Sequence, residues 1–209
     1  DGKRLHELKA SGRVYSGAIV GDMDGDKRLE IIAGDNQGHV RAWRVDGAPV
    51  AGFPQKVRLD ADIRQIAAAD LDGDGKDEII AYSNLTDHGC EPNMYVFQGD
   101  GSIRKGWPHF HKDDPYLGRH FDHAGGFNHC LAVGDLDGDG KLDLVFPQDY
   151  GSICIFRADG VPFEATGQNV PDKQGPVWWG ECRAWEPQTC EKIKWGPGEG
   201  AAKAPKDAE

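Results

Sequence analysis

Short apolar runs and acidic stretches alternate along most of the chain. Ala18-Ile19-Val20, Ile66-Ala67-Ala68 and Leu131-Ala132-Val133 each lead into an acidic segment, and each segment is followed by a second run: Ile31-Ile32-Ala33, Ile79-Ile80-Ala81 and Leu144-Val145-Phe146. Runs of about four apolar residues, bounded by glycine and aspartate and without a 3.6-residue period, predict buried strands. Further on, an alternating strand ends in an aromatic residue three positions before an Asp-Gly pair: Trp43 before Asp46-Gly47, Phe97 before Asp100-Gly101, Phe156 before Asp159-Gly160. Asp-Gly between two such runs predicts a tight hairpin, because glycine accepts the positive φ that the turn needs. Beyond the turn, two units reach Gly52-Phe53-Pro54 and Gly106-Trp107-Pro108, while the third drifts to Ala165-Thr166-Gly167.

Each unit therefore reads strand, acidic loop, strand, turn, strand, Asp-Gly, strand, and occurs three times in tandem. The first loop acids, Asp22, Asp70 and Asp135, lie 48 and 65 residues apart. A four-stranded unit of about 40–50 residues is the size of a β-propeller blade. The longer second interval comes from 6 extra residues near 84–93 and 11 near 109–128. Asp1-Gly2 reads as the turn of a preceding blade. The predicted architecture is thus all-β: three full propeller blades plus one orphan N-terminal strand. Three blades cannot close a ring, so other polypeptide is expected to complete it; a degenerate blade from the tail is the alternative.

The acidic loops carry carboxylates at positions 1, 3, 5 and 9: Asp22, Asp24, Asp26 and Glu30; Asp70, Asp72, Asp74 and Glu78; Asp135, Asp137, Asp139 and Asp143. Acids at alternate positions of a tight loop converge on one point, the arrangement a hard, oxygen-seeking cation such as Ca²⁺ requires. The position-7 carbonyls of Arg28, Lys76 and Lys141 are expected to add one oxygen each. An EF-hand needs a glutamate at position 12, where this chain has Ala33, Ala81 and Phe146, so that reading fails. The expectation is about three calcium ions with a structural role. Lys27 stands where the other loops have Gly75 and Gly140, which marks the first loop as the weakest.

This loop between apolar strands resembles the FG-GAP (VCBS) repeat of integrin-α-like β-propellers over roughly residues 1–167. The resemblance implies calcium bound within each blade and an extracellular, cell-surface or periplasmic location. It implies no single activity, since adhesion receptors, lectins and polysaccharide lyases share the repeat, and function has to be argued from the site.

Both insertions fall on the propeller face opposite the calcium loops, where long loops on a rigid scaffold commonly bind. The second contains Tyr116, Arg119, His120 and His123, and six of the eight histidines lie in this region. Imidazoles suit a second metal site or acid/base chemistry, and the bland alternative is a polar contact loop. Five cysteines fit an oxidising compartment. Cys182 with Cys190 is one expected pair, and Cys90 with Cys130 would staple the two insertions. Asn84-Leu85-Thr86 is a glycosylation sequon. Residues 168–195 hold four of the six tryptophans around Cys182 and Cys190, reading as a cap or interaction segment, and 196–209 reads as a flexible tail.

Composition sharpens the picture. A net charge of -11 argues against a nucleic-acid partner. No run of 18 apolar residues predicts a membrane span. The chain opens without a charged-then-apolar leader, so any signal peptide is expected to be gone already. Twelve of the 35 acids sit in the three loops, so much of the acidic excess is ligand rather than solvated surface. The function expected is a calcium-stabilised extracellular binding module for a protein or glycan, or a subunit of an assembly. The alternative is a polysaccharide lyase using the His/Tyr/Arg loop face.

Overall fold

A computed structural model describes residues 2, 5–57, 62–83, 94–111, 130–147, 153–161 and 182–184. All twelve elements are β-strands: β1 (Val14–Gly21), β2 (Glu30–Asp35), β3 (His39–Trp43), β4 (Gln55–Lys56), β5 (Ile63–Ala69), β6 (Glu78–Ser83), β7 (Met94–Phe97), β8 (His109–His111), β9 (Ala132–Gly134), β10 (Asp143–Pro147), β11 (Ile153–Arg157) and β12 (Cys182–Ala184). They form three antiparallel sheets, β1-β2-β3-β4, β12-β8-β7-β6-β5 and β11-β10-β9. Each predicted acidic loop joins the first two strands of its sheet, and each Asp-Gly pair follows the third strand. The expected 84–93 insertion, most of the 109–128 insertion and a fourth strand after Gly160 lie outside the described residues.

The sheets stack face to face. On one side of β2 and β3, Ile32, Val40 and Ala42 meet Ile79, Ala81, Tyr95 and Phe97 of the second sheet. The opposite face of the second sheet, with Ile80, Tyr82, Met94 and Val96, meets Leu144, Phe146 and Phe156 of the third. β6 is buried at every position because a sheet covers each of its two faces. That explains why it reads as an unbroken apolar run rather than an alternation. The sheets do not close on one another among the described residues.

Two details differ from expectation. The orphan N-terminal strand does not form across residues 5–13. The Ser11 and Arg13 N–H groups go instead to the side chains of Asp35 (3.1 Å) and Asn36 (2.8 Å), and this side-chain capture takes the place of a strand ladder. In the tail, Cys182–Ala184 pairs antiparallel with His109–His111 and adds an outer strand to the second sheet. Part of the expected cap is thus continuous with a sheet.

The Gly-aromatic-Pro signature joins one sheet to the next. Gly52 (φ +86°) lies so close to the following unit that a Cβ there would come 1.9 Å from the Asp100 carbonyl oxygen. Gly106 (φ +94°) repeats the contact with the Asp159 carbonyl oxygen, again at 1.9 Å. Only glycine offers both the backbone angle and the space. The aromatic residue beside it fills the junction, where Phe53 and Trp107 are buried. The Trp107 indole also donates to the Ala158 carbonyl at 3.2 Å.

Candidate metal centres

The position-1 aspartate organises each acidic loop. Asp22 accepts from the Gly25 N–H (2.8 Å) with one oxygen and from the Lys27 N–H (2.8 Å) with the other. Asp70 does the same with Gly73 (2.7 Å) and Gly75 (2.9 Å), and Asp135 with Gly138 (2.7 Å) and Gly140 (2.9 Å). These bonds wind the loop tightly and leave positions 4 and 6 at positive φ. Five of those six positions are glycine; the exception is Lys27, at φ 66°. A left-handed conformation costs a residue with a Cβ about 1–2 kcal/mol.

The position-9 acid closes the loop from below. Glu30, Glu78 and Asp143 open the second strand of their sheets and are at least 96% buried. Each accepts from the position-2 N–H: Met23 to Glu30 at 3.0 Å, Leu71 to Glu78 at 2.9 Å, Leu136 to Asp143 at 3.0 Å. One oxygen from each of Asp22, Asp24 and Glu30 lies within 4.8 Å of the others, and the same holds for Asp70, Asp72 and Glu78 and for Asp135, Asp137 and Asp143. Nine of the twelve predicted carboxylates therefore converge in threes.

The position-5 acids stand outside these triplets. Asp26, Asp74 and Asp139 turn along the loop to accept from the position-7 N–H of Arg28, Lys76 and Lys141, at 2.8, 2.8 and 2.9 Å. The position-7 side chains also pair with them, Arg28 at 3.4 Å, Lys76 at 4.0 Å and Lys141 at 3.9 Å. The position-3 acids form the same short Asx-type turn, accepting from the position-5 N–H at 3.2, 3.3 and 3.2 Å, so what sets position 5 apart is the pairing with the position-7 base. The other predicted site residues, Tyr116, Arg119, His120 and His123, lie outside the described residues, as do Cys90 and Cys190. Cys130 is an exposed free cysteine.

Crowded carboxylates leave an electrostatic signature. Burial first, and then the charges of Asp24, Asp26 and Asp22, push Glu30 above the ordinary glutamate range, against the Met23 N–H bond. Burial likewise pushes Glu78 up, helped by Asp72 and Asp74 and opposed by the Leu71 N–H and by Arg104. Burial also works to raise Asp70, but four backbone N–H groups, led by Gly75 and Gly73, outweigh it and hold this carboxyl below its usual range. The donor set suits a hard cation: oxygen only, mutually repelling, and with one member buried where a counter-charge is worth most.

Sequence reasoning missed two basic residues. Arg104 Nη1 donates to Asp72 Oδ2 at 2.9 Å and lies 3.2 Å from Glu78 Oε1. Arg157 pairs with Asp137 at 2.9 Å and with Asp139 at 3.5 Å. Aligning the units would have flagged Arg104, which stands two residues before Gly106 as Val50 stands two before Gly52.

The repeated loop also has a counterpart among known families. Residues 10–81 match the FG-GAP-like repeat. That span holds the first two acidic loops and their flanking strands, so the FG-GAP-like signature and the first two carboxylate triplets coincide. No curated protein matches the chain. Among solved structures, it is similar to the V. cholerae biofilm matrix protein Bap1, with 21% identity, 77% of this chain and 21% of that one covered, and a TM-score of 0.47. A Bacillus licheniformis rhamnogalacturonan lyase (PL11) is 20% identical over 70% of this chain and 32% of its own, with a TM-score of 0.46. Rhamnogalacturonan lyase YesW is 19% identical over 78% of this chain and 44% of its own, with a TM-score of 0.35. The chain thus spans less than half the length of each. No helix among the described residues is long and apolar enough to cross a membrane.

Proposed function

We propose that this chain is a calcium-stabilised, propeller-type module of an extracellular protein that binds a protein or glycan or builds an assembly. The observation that carries it is the threefold recurrence of a carboxylate triplet around a buried position-9 acid. Like charges so placed oppose folding until a cation neutralises them, so binding and folding are coupled. Asp22, Asp24 and Glu30, Asp70, Asp72 and Glu78, and Asp135, Asp137 and Asp143 are the proposed side-chain ligands. The carbonyls of Arg28, Lys76 and Lys141 and the position-5 acids complete the set in this reading. The propeller reading is supported by the stacking order: the second sheet packs one face on the unit before it and the other on the unit after. The blades then span 1–167, and further polypeptide completes the ring.

The lyase alternative rests on Tyr116, Arg119, His120 and His123, and nothing among the described residues favours it. The same loop is where a second metal would be sought. Calcium is tested by thermal unfolding in millimolar CaCl₂ against excess EGTA. At a hundredfold excess over Kd each filled site adds about 2.7 kcal/mol, which for a chain of this size is about 5–10 °C per site. An unfolding midpoint that ignores both additions overturns the calcium reading.

A further inference from the structure

The three acidic loops share a backbone design but not a charge environment. In every loop the position-7 base pairs with the position-5 acid, so that contact does not distinguish them. What does distinguish them is the second basic residue. In the second loop, Arg104 engages Asp72 Oδ2 and Glu78 Oε1, while the Asp74 N–H takes Asp72 Oδ1 (3.3 Å) and the Leu71 N–H takes Glu78 Oε2 (2.9 Å). All four oxygens of two triplet members are therefore engaged. Arg104 is itself held in place: its side chain is 13% exposed, and its Nε donates to the Ala158 carbonyl of the next unit at 3.2 Å. In the third loop Arg157 reaches Asp137 and Asp139 but is more exposed, at 37%. In the first loop the position equivalent to Arg104 is Val50, which packs against the core. Among the described residues no basic side chain contacts Asp24 or Glu30, and Asp24 Oδ2 and Glu30 Oε1 accept no hydrogen bond.

We infer that Arg104 is a built-in competitor for the cation at the second loop, and that the loops consequently fill in order, the first binding calcium most tightly. An ion entering the second loop must share or displace a fixed guanidinium on two of its three ligands and meets the repulsion of its positive charge. At the first loop it meets no such guanidinium, and Asp24 Oδ2 and Glu30 Oε1 are unengaged. This reverses the ranking that Lys27 suggests from sequence, because backbone strain at position 6 is present with or without the ion, whereas the guanidinium acts on binding itself. The inference rests on the calcium reading and concerns its affinity at each loop.

Calorimetric titration of the full chain with CaCl₂ tests it, with Asp24→Asn, Asp72→Asn and Asp137→Asn assigning each affinity to its loop. The Asp24→Asn variant is expected to lose the tightest site. Arg104→Gln is expected to tighten, by about tenfold (~1.4 kcal/mol), the site that Asp72→Asn removes, leaving the first unchanged. Arg157→Gln is expected to tighten the third site by a smaller factor, about threefold, as befits a more exposed pair. Should Arg104→Gln fail to fold, judged by circular dichroism, Arg157→Gln at the exposed third loop carries the same test. Equal affinities at the three loops, or arginine variants that leave affinity unchanged or weaken it, overturn the inference while calcium binding stands. A chain that takes up no calcium overturns both.

Discussion

Lys27 in the first unit and Gly75 in the second hold the same place in their loops, and both adopt positive φ, 66° and 85°. Other equivalent positions differ too, among them Asp35 against Ser83, Val50 against Arg104, and Phe53 against Trp107. Yet the position-1 and position-9 hydrogen bonds are the same to within 0.1 Å in both loops. The loop is thus specified by two carboxylates and the N–H groups they collect. The surroundings are free to vary, and they set how firmly the loop is held and how it meets a cation. The first loop is braced by the second, since the Asp22 N–H donates to the Asp77 carboxylate at 2.8 Å and the Asp77 N–H to the Asp22 carbonyl at 2.7 Å. The second is braced through Arg104 onto Ala158 of the third unit.

Exchanging residues between the units tests how far they are equivalent. The largest effect is expected where they agree. Gly52→Ala and Gly106→Ala each drive a methyl into a carbonyl and strain a positive φ, for a loss of about 3 kcal/mol and a fall of about 10 °C in midpoint. A clearly smaller loss at one of them would show that the two junctions are not the same device.

Next comes Asp35→Ser, which gives the first unit the residue of the second. Burial works to raise the Asp35 carboxyl, but Ser11, the N–H groups of His39 and Gln37, and Arg41 draw it down to about 2. A carboxyl lowered in the folded state contributes stability that is complete above its unfolded pKa and lost as pH falls through the folded one. At neutral pH the substitution should therefore cost on the order of 2 kcal/mol, shrinking toward zero near pH 2 in denaturant titrations. A loss independent of pH would mean that packing rather than charge holds Ser11 there.

Trp107→Phe makes the second junction resemble the first and removes the indole bond to Ala158, for about 1 kcal/mol by urea unfolding. The smallest change is Lys27→Gly. Relief of the left-handed lysine, partly offset by the greater freedom of glycine in the unfolded chain, should stabilise by about 0.5 kcal/mol. A destabilising outcome would give the lysine side chain a role of its own.

Much of this was legible beforehand. The Asp-x-Asp-Gly-Asp pattern encodes its own turn, so the loops, their flanking strands and the Asp-Gly hairpins follow from local chemistry. Local chemistry also limits the reading. Asp24 and Asp26 look alike in sequence, and each accepts from the N–H two residues on; what separates them is the Arg28 side chain, which pairs with Asp26. Arg104 stands 26 residues after Glu78 and meets it only because two hairpins fold back across the sheet. Cys182–Ala184 has no strand-like alternation; its pairing comes from the β8 edge it meets. Residues 5–13 misled for the converse reason: an apparent Asp-Gly turn at the start suggested a strand, whereas Asp35 and Asn36 claim the Ser11 and Arg13 N–H groups.

The contacts of Gly52 and Gly106 run in one direction only, from the end of a unit to a turn of the unit that follows. The series therefore has a polarity that its repeating sequence conceals. Trimming from the front, up to residue 62, would leave the contact from Gly106 to Asp159 whole, whereas trimming from the back to before residue 100 would leave Gly52 facing nothing. The requirement is steric, so it can be applied wherever the signature occurs: a side chain with a Cβ at that place cannot approach the next carbonyl. Ala165 stands six residues beyond Asp159, as Gly52 and Gly106 stand six beyond Asp46 and Asp100. At Gly52 and Gly106, then, the chain marks the places where one unit is closely followed by the next.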